Sequence, residues 1–375
     1  MKLNSKKFTI VFMTFFVAVL LLFGLFEAII DPCFHYHAPL DSMSYSFIDE
    51  RYVNDGIVRH FDYDAIITGT SMTENFKSSE MDELFGTNSI KVCFAGGHYR
   101  EIDSNIRVAL ESNPNIKMVV RGLDINSIVL DKDAICNQLD NGEIVYPFYI
   151  SDGNPLTDVE YLFNKDIFLE YTYHDFAITK AGEETTNFDD YAYWNDRDTS
   201  TIDLKQMASE RIFGLKSDRE DVKDLSDDDV RIATDNINQN IIETALKYPD
   251  VDFYYFLTPY SILWWDSKNQ SGSLDYNLDA IELEMRMLVD VDNIHLFAFL
   301  DRDDIVCNLD YYIDEGHYTA QVNSEILRCM KSGENLITKE NIDEYITNVR
   351  EFYENYDYDK IYEIERDITV SDNAI

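Results

Sequence analysis

The residues with the clearest potential for chemistry are a serine and an Asp-x-x-His pair that lie far apart in the chain. Ser71 stands in DAIITGTSMTENF, where a turn led by a glycine follows an apolar run. Asp314 and His317 stand in YYIDEGHYTAQ. A carboxylate three residues before an imidazole can hold Nδ1 and aim Nε2 outward. We therefore predict nucleophilic catalysis by Ser71, with His317 as the base and Asp314 orienting that base.

The elements around these residues follow the pattern of an α/β protein. Short apolar runs bounded by turn residues predict buried parallel strands, at 64–68, 90–95, 117–123, 251–257 and 293–300. Helical patterns lie between or after them, at 101–112, 226–248 and 278–289, the second opened by an Asp-rich cap. The alternation predicts a doubly wound, mostly parallel five-stranded sheet with ligands at the carboxyl ends of its strands.

The order of these blocks over residues 60 to about 330 resembles the SGNH/GDSL hydrolase family. GTS at 69–71 looks like the nucleophile block of that family, and DEGH at 314–317 looks like its Asp-x-x-His block. The resemblance implies a flavodoxin-like sheet of the SGNH type and serine chemistry on acyl esters.

Two further blocks carry the resemblance. Gly96 and Gly97 in CFAGGHYRE are similar in position to the family's glycine block, whose backbone N–H faces the oxyanion. VVRGLD occupies the place of the Gly-x-Asn block, with Gly122 and Asp124 matching in position. The resemblance thus implies an oxyanion hole near these residues.

The chain departs from the family pattern at two positions. Thr70 replaces the Asp of GDS, whose side chain is not the nucleophile. Asp124 replaces the Asn, and an ionised carboxylate cannot donate the hydrogen bond that is typically worth roughly 3 kcal/mol. Three alternatives stay open: a protonated Asp124, donation by Asn126, or a hole built only from the N–H groups of Ser71 and Gly96.

Several other side chains near the strand ends have two readings each. His98 lies beside the paired glycines and either lines the pocket or makes a structural hydrogen bond. Tyr260, Trp264 and Trp265 follow the fourth strand and either stack on sugar rings or pack in the core or against the membrane surface. HExxH, Walker A and GxGxxG motifs are absent from the sequence, and we expect neither a metal nor a cofactor.

The N-terminus predicts a membrane anchor. Residues 8–26 carry no charge, and about 20 apolar residues suffice for a helix to cross a bilayer. Lys2, Lys6 and Lys7 precede the run, so the positive-inside rule places them in the cytoplasm and exports the rest. A cleaved signal peptide is the alternative, but the run exceeds the usual apolar stretch of about 7–15 residues and no clear A-x-A site follows.

The predicted organisation has five segments. They are a cytoplasmic N-terminus at 1–7, a transmembrane anchor at 8–30, a juxtamembrane connector at 31–59, the α/β domain at 60–335 and a C-terminal helix and tail at 336–375. A stretch from about 125 to 225 breaks the βα rhythm and is too long for an ordinary connection, so we predict an insertion, either a lid or substrate wall or a surface excursion.

The net charge of the chain limits the classes of substrate and partner that we expect. With 31 Lys and Arg against 71 Asp and Glu, the net charge of −40 excludes a basic nucleic-acid surface and favours a neutral or cationic substrate. The anchored layout is similar to a bacterial branch of the family that includes envelope-polymer O-acylation and D-alanyl transfer proteins. We expect a serine esterase or O-acyltransferase on the outer face of the cell membrane, acting on acyl esters of an envelope glycan or polymer. A transmembrane acyl-donor protein is a compatible partner. The alternative is an inactive SGNH-like scaffold or polymer-binding module, which Asp124 favours.

Overall fold

A computed structural model describes residues 5–136, 147–194, 222–358 and 361 of the chain. Parts of the predicted insertion, at 137–146 and 195–221, lie outside the described residues, as do 1–4 and the tail from 362 onward. The described residues divide into two compact units. One, the N-terminal unit, takes its residues from 1–61 and 137–187, and the other, the sheet unit, takes them from 62–136 and 188–375.

Six strands form one sheet in the order β2-β1-β3-β4-β5-β6. They are β1 Ala65–Gly69, β2 Ser89–Cys93, β3 Met118–Leu123, β4 Asp252–Leu257, β5 Ile294–Ala298 and β6 Leu336–Ile337. The first five are parallel, so the predicted α/β class and mostly parallel sheet are confirmed. Their order is that of flavodoxin-like sheets, in which the crevice opens beside β1 and β3.

The predicted count of five strands is wrong, because β6 adds an antiparallel edge to β5. Only Leu336 and Ile337 form it, and two residues are too short to show any periodicity in a sequence.

Burial explains why the other runs form strands. Every residue of β1, β2 and β3 is buried, which requires side chains that suit both faces of the sheet. Gly69 pairs with Cys93, and Thr68 pairs with Arg121. The carboxyl ends of these three strands are therefore level, and the loops that follow them lie side by side.

Helices occupy most of the remaining described chain. They are α1 Ser5–Ile30, α2 Glu50–His60, α3 Ser78–Phe85, α4 Tyr99–Ser112, α5 Phe148–Ser151, α6 Val159–Leu162, α7 Tyr173–Ala181, α8 Asp227–Ile237, α9 Glu243–Lys247, α10 Ile262–Gln270, α11 Leu274–Leu288, α12 Asp303–Val306, α13 Ala320–Ser332 and α14 Ile342–Asn355. π-helical segments lead into α7 and connect α8 to α9.

The predicted helices agree with α4, with α8 and α9 together, and with α11. The Asp-rich cap is present, because Ser226 and Asp229 form a reciprocal capping box at the start of α8.

The N-terminal unit contains α1, a 26-residue helix that is long and apolar enough to cross a membrane. Helices of this kind near an N-terminus occur in membrane anchors and in signal sequences alike. Its last turns are not isolated, because Gly24, Glu27 and Ile30 are buried within the unit. Thr172 donates a hydrogen bond of 2.8 Å to the Glu27 carboxylate there.

Candidate active site

The turn after β1 presents Ser71 at the carboxyl edge of the sheet. Gly69 has a φ of 147°, which L side chains rarely adopt, and a Cβ on it would lie 2.7 Å from Thr73 Cγ2. Thr70 then caps a short 3-10 helix, Ser71–Thr73. Ser71 is the first residue of that helix, so its backbone N–H has no acceptor within the turn.

A second turn holds the imidazole. The N–H of Ile313 donates to the carbonyl of His317 at 2.9 Å and closes the loop. Asp314 Oδ1 accepts the N–H groups of Gly316 and His317 at 2.7 Å each. Its other oxygen, Oδ2, lies 2.6 Å from His317 Nδ1. The carboxylate therefore fixes both the loop and the ring, as aspartate side chains commonly do in tight turns.

The sheet brings the two turns together. Ser71 Oγ lies 2.8 Å from His317 Nε2, across 246 residues of sequence. With Nδ1–H donated to Asp314, Nε2 is left to accept the hydroxyl proton of Ser71. The arrangement is that of a nucleophile, a base and an orienting carboxylate.

Electrostatics favour this arrangement. The hydrogen bond to Asp314 raises the pKa of His317 above its ordinary value of 6.5, against the lowering by burial, and the charges of Asp314 and Asp124 add to the rise. Burial raises the pKa of Asp314, but hydrogen bonds from His317 and from the Gly316 N–H outweigh it and leave that pKa below the ordinary 3.8. The aspartate thus stays a charged acceptor while the histidine becomes a stronger base.

The loop after β4 braces the histidine turn. Ser261 Oγ donates to the carbonyl of Glu315 at 2.6 Å. The hydroxyl of Tyr312 donates to the carbonyl of Pro259 at 2.8 Å. A Cβ on Gly316 would lie 3.0 Å from the Tyr260 ring, so a side chain there would force the ring or the turn to shift by a few tenths of an ångström.

A buried lysine braces the nucleophile loop. Lys91 on β2 is fully buried, and its ammonium donates to the carbonyls of Glu74 and Phe76 at 2.5 and 3.0 Å. The amide of Asn323 donates to the carbonyl of Met72 at 3.1 Å. The segment that follows Ser71 is therefore held on both sides by polar side chains.

The paired glycines after β2 have different roles. The N–H of Gly97 donates to the carbonyl of Phe94 at 2.7 Å and is occupied. Gly96 is exposed, has a φ of 63°, and among the described residues its N–H has no acceptor. Of the two predicted donors, only Gly96 thus has a free N–H. His98 is half-buried and precedes α4, with no hydrogen bond to Ser71 or His317 among the described contacts.

Asp124 lies at the centre of a hydrogen-bond network. Its Oδ1 accepts from the Tyr260 hydroxyl at 2.8 Å and from the backbone N–H of Asn126 at 2.9 Å, and its Oδ2 accepts from Thr70 at 3.3 Å. The amide of Asn126 donates to Asp124 at 3.2 Å and to the Tyr260 hydroxyl at 3.0 Å. Both amide hydrogens of Asn126 are therefore engaged, and the Asp124 side chain is the acceptor in each of the hydrogen bonds that it makes here.

The three aromatic residues after β4 lie in the interior. Tyr260 stacks on Trp264 with ring centroids 4.6 Å apart, and Trp265 stacks on Tyr353 at 4.0 Å. All three are buried, and Trp265 has no exposed area. The burial of Trp264 and Trp265 supports the predicted role in core packing, because a buried ring offers no face on which a sugar could stack. Tyr260 acts through its hydroxyl on Asp124.

Trp194 is a site residue that the sequence did not reveal. Its indole meets the His317 ring edge to face, at 5.9 Å and 89°, and its backbone N–H donates to Asn75 Oδ1 at 3.2 Å. It lies in the non-periodic stretch that we predicted as an insertion, where nothing distinguishes one aromatic residue from another. The indole contacts the imidazole of the candidate base.

Within the described part of the chain, no group of three or more His, Cys, Asp or Glu side chains is arranged to hold a metal ion. Comparison of the chain with protein-family models, with curated proteins and with solved structures gives no match.

Proposed function

We propose that the chain is a serine-nucleophile esterase or O-acyltransferase of the SGNH type. The observation that supports this most strongly is the linked geometry of Ser71, His317 and Asp314, with Oγ to Nε2 at 2.8 Å and Nδ1 to Oδ2 at 2.6 Å. Both distances lie within hydrogen-bonding range before any substrate binds.

The chemistry follows from that geometry. As Ser71 Oγ bonds to an acyl carbonyl carbon, its proton passes to His317 Nε2, and Asp314 stabilises the imidazolium. The leaving alkoxide takes that proton as its bond to the acyl carbon breaks. Water or a sugar hydroxyl then gives its proton to His317 and bonds to the acyl carbon, and His317 returns the proton to Ser71 Oγ as the Oγ–acyl bond breaks. The identity of this acceptor alone separates an esterase from a transferase.

The developing oxyanion requires donors. Among the residues that the structure describes, the backbone N–H groups of Ser71 and Gly96 have no acceptor, and they follow adjacent strands, so we assign them as the donors. Asn126 cannot add a third donor without releasing Asp124 or Tyr260. A two-donor hole is therefore part of the proposal.

We propose further that α1 is an uncleaved anchor that holds the sheet unit outside the cytoplasm. Removal of α1 would uncover the N-terminal unit around Gly24 and Ile30 and would leave Thr172 without Glu27. A signal peptide that is cut away has no need of such contacts. An envelope glycan or polymer that carries acyl esters is the substrate class that suits this location, and the net charge of −40 favours a neutral or cationic one.

Asp124 supports a second candidate, an inactive scaffold with the same fold. It occupies the place of an oxyanion donor, yet it accepts all of its hydrogen bonds. A carboxylate there disfavours the negative charge of the transition state.

A fluorophosphonate probe separates the two candidates, because only an activated serine displaces its fluoride. We expect the full chain in detergent to react and Ser71→Ala not to react, while His317→Ala slows labelling by about 10²–10⁴-fold. Ser104→Ala is the matched control, since within the described ranges that hydroxyl bonds only to the Arg100 carbonyl of its own helix. Labelling of Ser71→Ala at the rate of the unsubstituted chain refutes the proposal, and an unreactive unsubstituted chain favours the scaffold.

A further inference from the structure

Short helices of the N-terminal unit expose large apolar side chains. We define the apolar patch as Leu156, Val159, Phe163, Leu169, Tyr173 and Phe176. Their exposed fractions run from 40% for Phe176 to 81% for Leu156. Isolated exposed apolar residues are ordinary on proteins, but a concentration of them within about 20 residues marks an interaction surface.

The spacing shows that these side chains share helix faces. Val159 and Phe163 are four residues apart at α6, while Tyr161 between them is buried. In the continuous helical segment at 167–181, Leu169, Tyr173 and Phe176 form an exposed stripe.

That segment carries a second apolar stripe. Ile167, Tyr171 and Ile178 are buried and attach it to the unit. A surface helix of a water-soluble protein needs only one apolar stripe, the buried one that packs against the core. Beside the exposed apolar stripe lie the exposed polar residues Glu170 and His174. The solvent side of the segment is therefore itself amphipathic, as in helices that lie in a membrane interface.

The apolar patch is continuous with α1. Phe163 stacks on Phe23 with centroids 6.0 Å apart, and Phe176 stacks on Phe26 at 5.7 Å and 4°. A Cβ on Gly24 would lie 3.1 Å from the Phe163 ring, so the contact is close. These residues belong to the C-terminal turns of α1, the end opposite its lysines. If α1 crosses a membrane, the positive-inside rule places that end at the outer surface.

We propose that the apolar patch is immersed in the outer headgroup region of the bilayer that α1 crosses. The proposal rests on the proposed membrane crossing of α1 and not on the serine chemistry. Charge indicates the kind of lipid contact. Glu160 and Glu170 are exposed, and Lys165 pairs with Asp166 at 2.7 Å, so the segment has no excess of basic residues. We therefore expect the contact between the apolar patch and the lipid to be apolar, so that the patch binds zwitterionic lipid and needs no anionic lipid.

The test uses the full chain in phosphatidylcholine vesicles, with or without phosphatidylcholine brominated on its acyl chains, which quenches nearby tryptophan. The probes are Tyr173→Trp and Leu169→Trp in the apolar stripe, His174→Trp as the matched exposed control, and Phe15→Trp within α1. Each signal is taken as the difference from the unsubstituted chain, which has three tryptophans.

We expect Tyr173→Trp and Leu169→Trp to emit at shorter wavelength and to lose most of their emission in brominated lipid, and His174→Trp to lose much less. Phe15→Trp should be quenched strongly. If Phe15→Trp is quenched while the stripe positions behave like His174→Trp, the proposal is overturned and the anchor stands. If Phe15→Trp is not quenched, the membrane crossing fails and the patch proposal fails with it. Stripe positions that are protected from acrylamide only in native membranes would indicate a protein occupant and would also overturn the proposal.

Discussion

Asp124 is the residue on which the efficiency of the proposed reaction should depend most. It accepts hydrogen bonds from Tyr260, Asn126 and Thr70, and its negative charge contributes to the raised pKa of His317. On the proposed function, the same carboxylate strengthens the base and weakens the oxyanion hole. An enzyme with this residue trades transition-state stabilisation for basicity.

Asp124→Asn should change the pH dependence of Ser71 reactivity in a defined direction. Only neutral His317 can accept the serine proton, so labelling rises as the pH passes upward through the raised pKa of His317. Loss of the Asp124 charge lowers that pKa, and the acid limb of the labelling rate should move to lower pH. The amide can also donate, so the plateau should rise, by up to about 10²-fold.

The control for this substitution is Asp252→Asn, which removes one charge at the first residue of β4, the strand end opposite the site. Its acid limb should coincide with that of the unsubstituted chain. An acid limb of Asp124→Asn that stays in place or moves to higher pH would show that Asp124 does not act on His317.

Among the elements, the turn between β1 and the 3-10 helix leaves no room for a side chain at Gly69. Gly69→Ala should abolish most labelling, because its Cβ would lie 2.7 Å from Thr73 Cγ2 and 3.2 Å from the Gly122 nitrogen. The turn must shift, and small displacements of a nucleophile cost on the order of 10²-fold in rate. The rate of fluorophosphonate labelling at saturating pH is the measurement.

Gly86→Ala is the comparison for Gly69→Ala. Gly86 also has a positive φ, 71°, but a Cβ there would meet nothing within 4 Å. It should lose roughly 1–2 kcal/mol of folding stability from the left-handed conformation alone and keep its labelling rate. Equal labelling rates in the two variants would mean that the β1 turn tolerates a side chain and does not position Ser71.

The elements also show what the sequence could predict. Strand ends were predictable because burial on both faces demands continuous apolar runs, and the position of Ser71 and of the Asp314 turn follows from the strand ends. The hydrogen-bond partners of Asp124 could not be predicted, because Tyr260 and Thr70 lie in loops, where the directions of the side chains follow no periodic pattern. The roles of Trp194 and β6 could not be predicted for a related reason. Neither belongs to a segment that is long enough or regular enough to show a pattern in the sequence.

At the scale of the whole molecule, the two units carry the two parts of the proposal. The sheet unit contains every residue of the candidate site, and the N-terminal unit contains α1 and the apolar patch. Part of the predicted insertion, residues 147–187, belongs to the N-terminal unit. It packs in one unit with α1 and α2 and is not a loop of the sheet. Its contribution, on our proposal, is membrane contact and not a lid.

The net charge of −40 affects the stability of the whole chain. Surface ion pairs such as Lys117 with Asp64 each contribute about 0–1 kcal/mol, and 71 acidic residues far outnumber 31 basic ones, so repulsion exceeds attraction. Raising the salt concentration from about 0.01 to 1 M shortens the Debye length from about 30 to 3 Å, and the Tm of the detergent-solubilised chain should rise.

Trp194, Trp264 and Trp265 all lie in the sheet unit, so tryptophan fluorescence follows the unfolding of that unit and measures this Tm. Lithium, sodium and potassium chloride should act equally at equal ionic strength if screening is the cause, whereas a Tm that falls with salt would show that ion pairs outweigh the acidic repulsion.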